Sequence, residues 1–171
     1  KLARLYNVPI FETPVGFKYI GPIMEREKAL IGGEESGGFG FRGHIPERDG
    51  VLASLYLLDL MVQTGKSPSQ LVEYLYSKVG PHHYRRIDLP FDARQREAVV
   101  RRVAEAKPAA LDGVKVAQID TADGFRFLLE DGTWLLVRFS GTEPLLRIYA
   151  ESSSLERVDR LLAAARQMTG V

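Results

Sequence analysis

VKVAQIDTADGFRFLLEDGTWLLVRFSGTEPLLRIYA, residues 114–150, decides the fold class of this chain. Val114–Ile119, Phe125–Glu130 and Thr133–Phe139 are short runs rich in apolar, β-branched and aromatic residues. Asp123-Gly124 and Asp131-Gly132 separate them, and such pairs are strong hairpin turn signals. Leu145–Ala150 reads as a fourth strand. Strands joined by such short connections run antiparallel. Working outward, Arg85–Leu89 is a further strand, Ala93–Lys107 a helix rich in arginine and glutamate, and Ser154–Met168 a closing amphipathic helix. The order β-α-β-β-β-β-α predicts a small α+β domain: two helices and a four- to five-stranded, largely antiparallel sheet.

Before Gly80–Tyr84 the pattern differs, and that stretch is the expected boundary between residues 1–80 and 81–171. Residues 1–6 read as the end of a helix closed by Asn7. Val8–Glu12, bounded by Pro9 and Pro14, reads as a short strand, Gly16–Ile20 as a loop and Pro22–Glu27 as a short helix. Ala29–Ile31 suits a buried strand entering a long loop from Gly32 to Gly50. Leu52, Leu55, Tyr56 and Leu60 mark a helix that Asp49 can cap and Gly65 ends. Ser67-Pro68 opens another, with serine at the N-cap and proline in the first turn. A start at Lys1 inside helical spacing, without methionine or leader pattern, is the expectation of a fragment of a longer protein; a processed terminus is the other reading.

Composition narrows the function. Hydrophobic residues at 45% and charged residues at 26% are ordinary for a globular chain, so disorder is not expected. The net charge of +1 supplies no field that would gather nucleic acid or an anionic membrane. No apolar run approaches the roughly 20 residues of a spanning helix. Without cysteine there is neither disulfide nor thiolate metal site, and a cytoplasmic location is the default.

Two loops carry chemistry. Gly32-Gly33-Glu34-Glu35-Ser36-Gly37-Gly38 sets two carboxylates and a hydroxyl among glycines. These groups can share several hydrogen bonds with a polyhydroxylated ligand, and they suit a phosphate poorly. A plain turn with solvated glutamates, or a calcium loop, are the competing readings. Downstream, Arg42, His44 and Arg48 could contact a phosphate or orient the glutamates; His82-His83 read as surface residues. The second loop is Arg138-Phe139-Ser140-Gly141-Thr142-Glu143-Pro144. Arg138 can grip a phosphate bidentately, Ser140 and Thr142 offer hydroxyls, and Gly141 leaves backbone amides open to an anion. Arg147, on the next strand, can add a second positive group. A hairpin turn with a surface arginine is the bland alternative.

Taken in order, these two motifs, with Glu12-Thr13-Pro14-Val15-Gly16-Phe17-Lys18 and His44-Ile45-Pro46-Glu47-Arg48-Asp49-Gly50, resemble the α-D-phosphohexomutase family. The double glutamate is more similar to its phosphoglucomutase and phosphomannomutase branches than to the phosphoglucosamine branch. The resemblance implies four domains: a phosphorylated serine in the first, an aspartate-rich magnesium loop in the second, sugar recognition in the third and phosphate binding in the fourth. Residues 1–80 would then be the α/β remnant of domain three, and 81–171 a TATA-box-binding-protein-like domain four. Glu34 and Ser36 would read sugar hydroxyls, with Lys18, His44 and Arg48 near the site. Arg138, Ser140, Gly141, Thr142 and Arg147 would bind phosphate.

The implied activity is interconversion of hexose 1-phosphate and hexose 6-phosphate through a phosphoserine and a bisphosphorylated sugar, with Mg2+ and glucose 1,6-bisphosphate as cofactor and activator. The expected partners are a phosphorylated hexose and the remaining domains of the same protein, with no nucleic acid and no membrane. The aspartate-rich loop and the catalytic serine context are absent from these residues, so the chain alone is expected to be inactive. A non-catalytic phosphosugar-binding module is the alternative function, and a structural domain with two decorative loops is the other.

Overall fold

A computed structural model describes the chain except Gly141, Thr142 and the side chain of Ala93. It divides into two compact units, Lys1–Val79 and Gly80–Val171.

The first unit holds four helices and one hairpin among its described residues: α1 (Leu2–Leu5), α2 (Phe17–Glu27), β1 (Ile31–Gly33), β2 (Phe39–Phe41), α3 (Gly50–Thr64) and α4 (Pro68–Val79). Val8–Glu12 is not a strand, which corrects the expectation. Pro9 lacks a ladder donor, and among the described residues no neighbouring strand receives the segment. The helix expected at Pro22–Glu27 starts five residues earlier, within what reads as a loop. Phe17, Gly21 and Met24 form its buried stripe, and Pro22 sits inside it. That stripe packs on the hairpin. Gly32 and Gly40 face each other across β1 and β2, and a Cβ on Gly40 would lie 2.9 Å from the Phe17 ring. One on Gly32 would run into the Met24 sulfur.

Asp49 caps α3 by accepting the Leu52 amide at 2.9 Å. Ser67 and Gln70 cap α4 reciprocally: the Ser67 amide donates to Gln70 Oε1 at 2.9 Å and the Gln70 amide to Ser67 Oγ at 3.4 Å. Helix α3 is apolar around most of its circumference, yet none of its residues is buried; Val51 and Val62 are both 74% exposed.

The second unit is a six-stranded antiparallel sheet in the order β3-β8-β7-β6-β5-β4. Its elements are β3 (His83–Pro90), α5 (Arg96–Ala106), β4 (Ala110–Leu111), β5 (Val114–Asp120), β6 (Phe125–Leu129), β7 (Trp134–Phe139), β8 (Leu145–Ser152) and α6 (Leu155–Thr169), with a 3-10 turn at Ala93–Gln95 before α5. The architecture is the expected α+β domain with two α-helices, and the sheet has one strand more. That strand is β4, two residues long. It turns into β5 through Asp112 and Gly113 at φ 48 and 77, a third Asp-Gly turn.

Alternation along the strands sends one face to the helices. Phe127 and Leu129, Leu135 and Val137, and Leu146, Ile148 and Ala150 are buried there with Val99 and Val103 of α5 and Val158, Leu161 and Ala165 of α6. The opposite face therefore receives the alternate residues, among them Arg86, Asp88, Arg138, Arg147 and Tyr149.

Candidate functional site

The acidic loop is the tip of the β1–β2 hairpin rather than a long irregular loop. Its turn closes by the Glu34 amide donating to Gly38 O at 2.9 Å and the Gly37 amide to Glu34 O at 3.0 Å. Glu35 and Ser36 are exposed at the tip. Glu34 stands at the base, its side chain only 11% exposed, with Oε2 3.2 Å from Arg48 Nη1. Arg48 reaches it by lying across Gly38; any Cβ there would collide with Arg48 Cδ. The Arg48 guanidinium also bonds Glu47 at 3.1 Å and rides 5.8 Å from the Phe17 ring centre. The Glu47 carboxylate, and then that of Glu34, hold its pKa above the ordinary value.

The other expected sugar-side residues have different neighbours. His44 Nε2 pairs with Asp49 Oδ2 at 2.9 Å, on the carboxylate that caps α3. The Leu52 amide, then His44, keep the Asp49 pKa below the usual carboxylate range. Lys18 is exposed on α2, its ammonium 4.9 Å from the Tyr19 ring centre. Glu34 and Arg48 are thus brought together, Ser36 shares their turn, and Lys18 and His44 are held elsewhere in the unit.

In the second unit Arg138 of β7 and Arg147 of β8 are direct cross-strand partners. Like charges placed so are unfavourable unless countered. Carboxylates do this from both sides: Asp123 Oδ1 is 3.1 Å from Arg138 Nε, Glu143 Oε2 is 3.1 Å from Arg147 Nη2, and Asp88, opposite Arg147 on β3, is 3.8 Å from its Nε. That Nε is buried, and among the described residues no hydrogen bond satisfies it. Burial works against the Arg138 cation, but Asp123 and Tyr149 outweigh it and leave its pKa raised.

Ser140 is buried at the end of β7, and its hydroxyl accepts the Glu143 amide at 3.3 Å. Gly141 and Thr142 lie outside the described residues. Arg138 and Arg147, paired across neighbouring strands, give this face two cations that can meet an anion in addition to their carboxylate partners. The sequence reading missed Asp123 as a functional neighbour and saw only its turn signal.

Among the described residues no three His, Asp or Glu side chains converge as a metal-binding group, so the donors for the implied magnesium do not fit here. No described helix is long and apolar enough to cross a membrane.

Comparisons with known proteins match both units. The family description "phosphoglucomutase/phosphomannomutase, alpha/beta/alpha domain III" matches residues 1–79, and "phosphoglucomutase/phosphomannomutase, C-terminal domain" matches residues 97–168. The chain is 32% identical over 94% of its length to a phosphoglucomutase/phosphomannomutase of Thermococcus kodakarensis, covering 33% of that protein. It is 31% identical over 89% of its length to a phosphoglucosamine mutase of Solidesulfovibrio magneticus, covering 30% of it. A solved structure from Thermus thermophilus, described as a phosphomannomutase, superposes at TM-score 0.78 with 34% identity, over 99% of this chain and 33% of that one. The chain therefore spans about a third of the length of these relatives.

Proposed function

The chain belongs to the phosphoglucomutase/phosphomannomutase family, and from that premise we propose that it is the substrate-binding C-terminal portion of a phosphohexomutase. Residues 1–80 are taken as part of the sugar-binding third domain and 81–171 as the phosphate-binding fourth. The whole enzyme would interconvert hexose 1-phosphate and hexose 6-phosphate through a phosphoserine and a bisphosphorylated sugar, in the cytoplasm. The serine and magnesium would belong to other domains of the same protein, and this chain alone would not turn over substrate.

The observation that carries the reading is the Arg138–Arg147 pair beside Ser140. Both cations would serve one phosphate, and Gly141 and Thr142 would complete the proposed loop. Glu34 and Ser36 would read adjacent ring hydroxyls, Arg48 keeping Glu34 in place. The bisphosphate must be accepted in two orientations. A carboxylate and a hydroxyl reading neighbouring hydroxyls tolerate that exchange, and a loop that grips either phosphate can orient the reacting end through remote binding energy.

The test is an NMR titration of the labelled chain with glucose 1,6-bisphosphate. Shifts concentrated at Arg138, Ser140 and Arg147, abolished by Arg138→Gln with the fold intact, support the reading. The absence of any shift at millimolar ligand overturns it for this chain, and isomerase activity from the isolated chain would contradict its predicted inactivity.

A further inference from the structure

Resting on the phosphate-binding reading above, we infer that Asp123 is a positioning residue that sets the plane of the Arg138 guanidinium beside the Ser140 loop. Arginine carries a long stem with several rotatable bonds, and one bond at Nε fixes the plane of its fork. Asp123 Oδ1 makes that bond at 3.1 Å, so the fork is held on its Nε edge while its other edge lies toward Tyr149, which also supports the cation. Arg138 is only 17% exposed, so few alternative rotamers reach solvent.

Asp123 is itself held in place by its turn. Gly124, at φ +99, is pressed against β7: a Cβ there would lie 2.6 Å from Val137 O and 3.1 Å from Arg138 Cα. Only glycine permits this approach, and it brings the preceding carboxylate to Arg138 from a strand connection 15 residues earlier. Pairing of Phe125 with Val137 continues the same register, so the turn cannot shift without unpairing β6 from β7.

A carboxylate this close also opposes an anion electrostatically. Positioning and charge therefore predict opposite signs when Asp123 is changed, and the sign is measurable. Asp123→Ala removes acceptor and charge; Asp123→Asn removes the charge and keeps an acceptor.

Calorimetric titration of the chain with glucose 1,6-bisphosphate is expected to give Asp123→Ala about tenfold weaker binding. Asp123→Asn should stay within about threefold of the parent chain, because its amide oxygen still orients Nε. The Arg138 Nε–H resonance should persist in Asp123→Asn and broaden or vanish in Asp123→Ala. Tighter binding by both variants would mean that Asp123 only tempers charge, and the inference falls. A lower Tm in Asp123→Ala with unchanged affinity would reduce Asp123 to a turn residue, and it falls again. In both cases the parent chain still binds, so the phosphate reading survives. If the parent chain binds neither the bisphosphate nor inorganic phosphate, that reading fails and takes this inference with it.

Discussion

Glu34 and Arg48 meet at 3.2 Å across the base of the β1–β2 turn, the carboxylate shielded and the guanidinium half open to water. The pair depends on the bare backbone of Gly38, over which the Arg48 stem passes. Gly38→Ala should push Arg48 aside without unfolding the unit, because a flexible stem can yield. The expected result is about tenfold weaker glucose 1,6-bisphosphate binding with unchanged affinity for inorganic phosphate, read by calorimetry. Arg48→Gln should behave alike, and an equal loss for both ligands would show that the hairpin does not serve the sugar.

Arg147, across the ladder from Arg138, keeps a buried Nε without a hydrogen-bond partner among the described residues. Such a group favours any ligand that satisfies it. Arg147→Gln should weaken phosphosugar binding by about tenfold, and the double variant with Arg138→Gln should lose less than the product of the two, since both serve one anion. Multiplicative losses would assign the two cations to separate tasks.

Asp112 accepts from Arg157 and Arg160 of α6, and Arg160 first, then Arg157, hold its pKa below the ordinary value against an opposing burial effect. A depressed carboxyl pKa adds stability above the unfolded value of about 3.9, and that contribution is lost as pH falls through the folded pKa. Asp112→Asn should therefore lower the Tm of the second unit at pH 7 by a few degrees, on the order of 1 kcal/mol. The gap between variant and parent should begin to narrow below about pH 4 and close only as pH falls through the depressed folded pKa. A gap that persists in acid would mean that the turn, not the charge, is responsible.

The two units differ in what they bury. The second has a continuous apolar core between sheet and helices; in the first, Phe17 and Met24 are the buried apolar side chains among the described residues. Amide exchange should be slow along β6–β8 and fast along α3 and α4. Leu135→Ala, at a fully buried site, should cost the second unit about 2–5 kcal/mol in denaturant unfolding. Equal protection in both units would overturn this ordering.

The second unit was largely legible in the sequence, because its signals are local. Asp123-Gly124 and Asp131-Gly132 turn strands whose alternation survives into the structure, and Ser154 caps the last helix by accepting the Arg157 amide. β4 escaped because two residues have no period, although Asp112-Gly113 carried the same turn signal as the other two. In the first unit glycine and proline misled. Three-residue strands built around Gly32 and Gly40 are too short to display an apolar period in the sequence, so most of the hairpin read as a loop. Pro22 hid the helical stripe of Phe17 and Met24. Candidate binding residues were readable from chemical type alone. Arg48 as a partner of the glutamates was among the readings, but its passage over Gly38 and the place of Asp123 beside Arg138 were not, because these follow from register and close approach.

The sheet order places β3, the first strand of the second unit, against β8, the last, with His83 opposite Ser152 and Pro90 opposite Leu145. The leading strand therefore stays without its ladder until nearly the whole unit has been synthesised. Its closure spans a long loop, which makes assembly slow and all-or-none rather than progressive on the ribosome. A chain cut short before Leu145 would leave β3 and β7 both without the strand that lies between them.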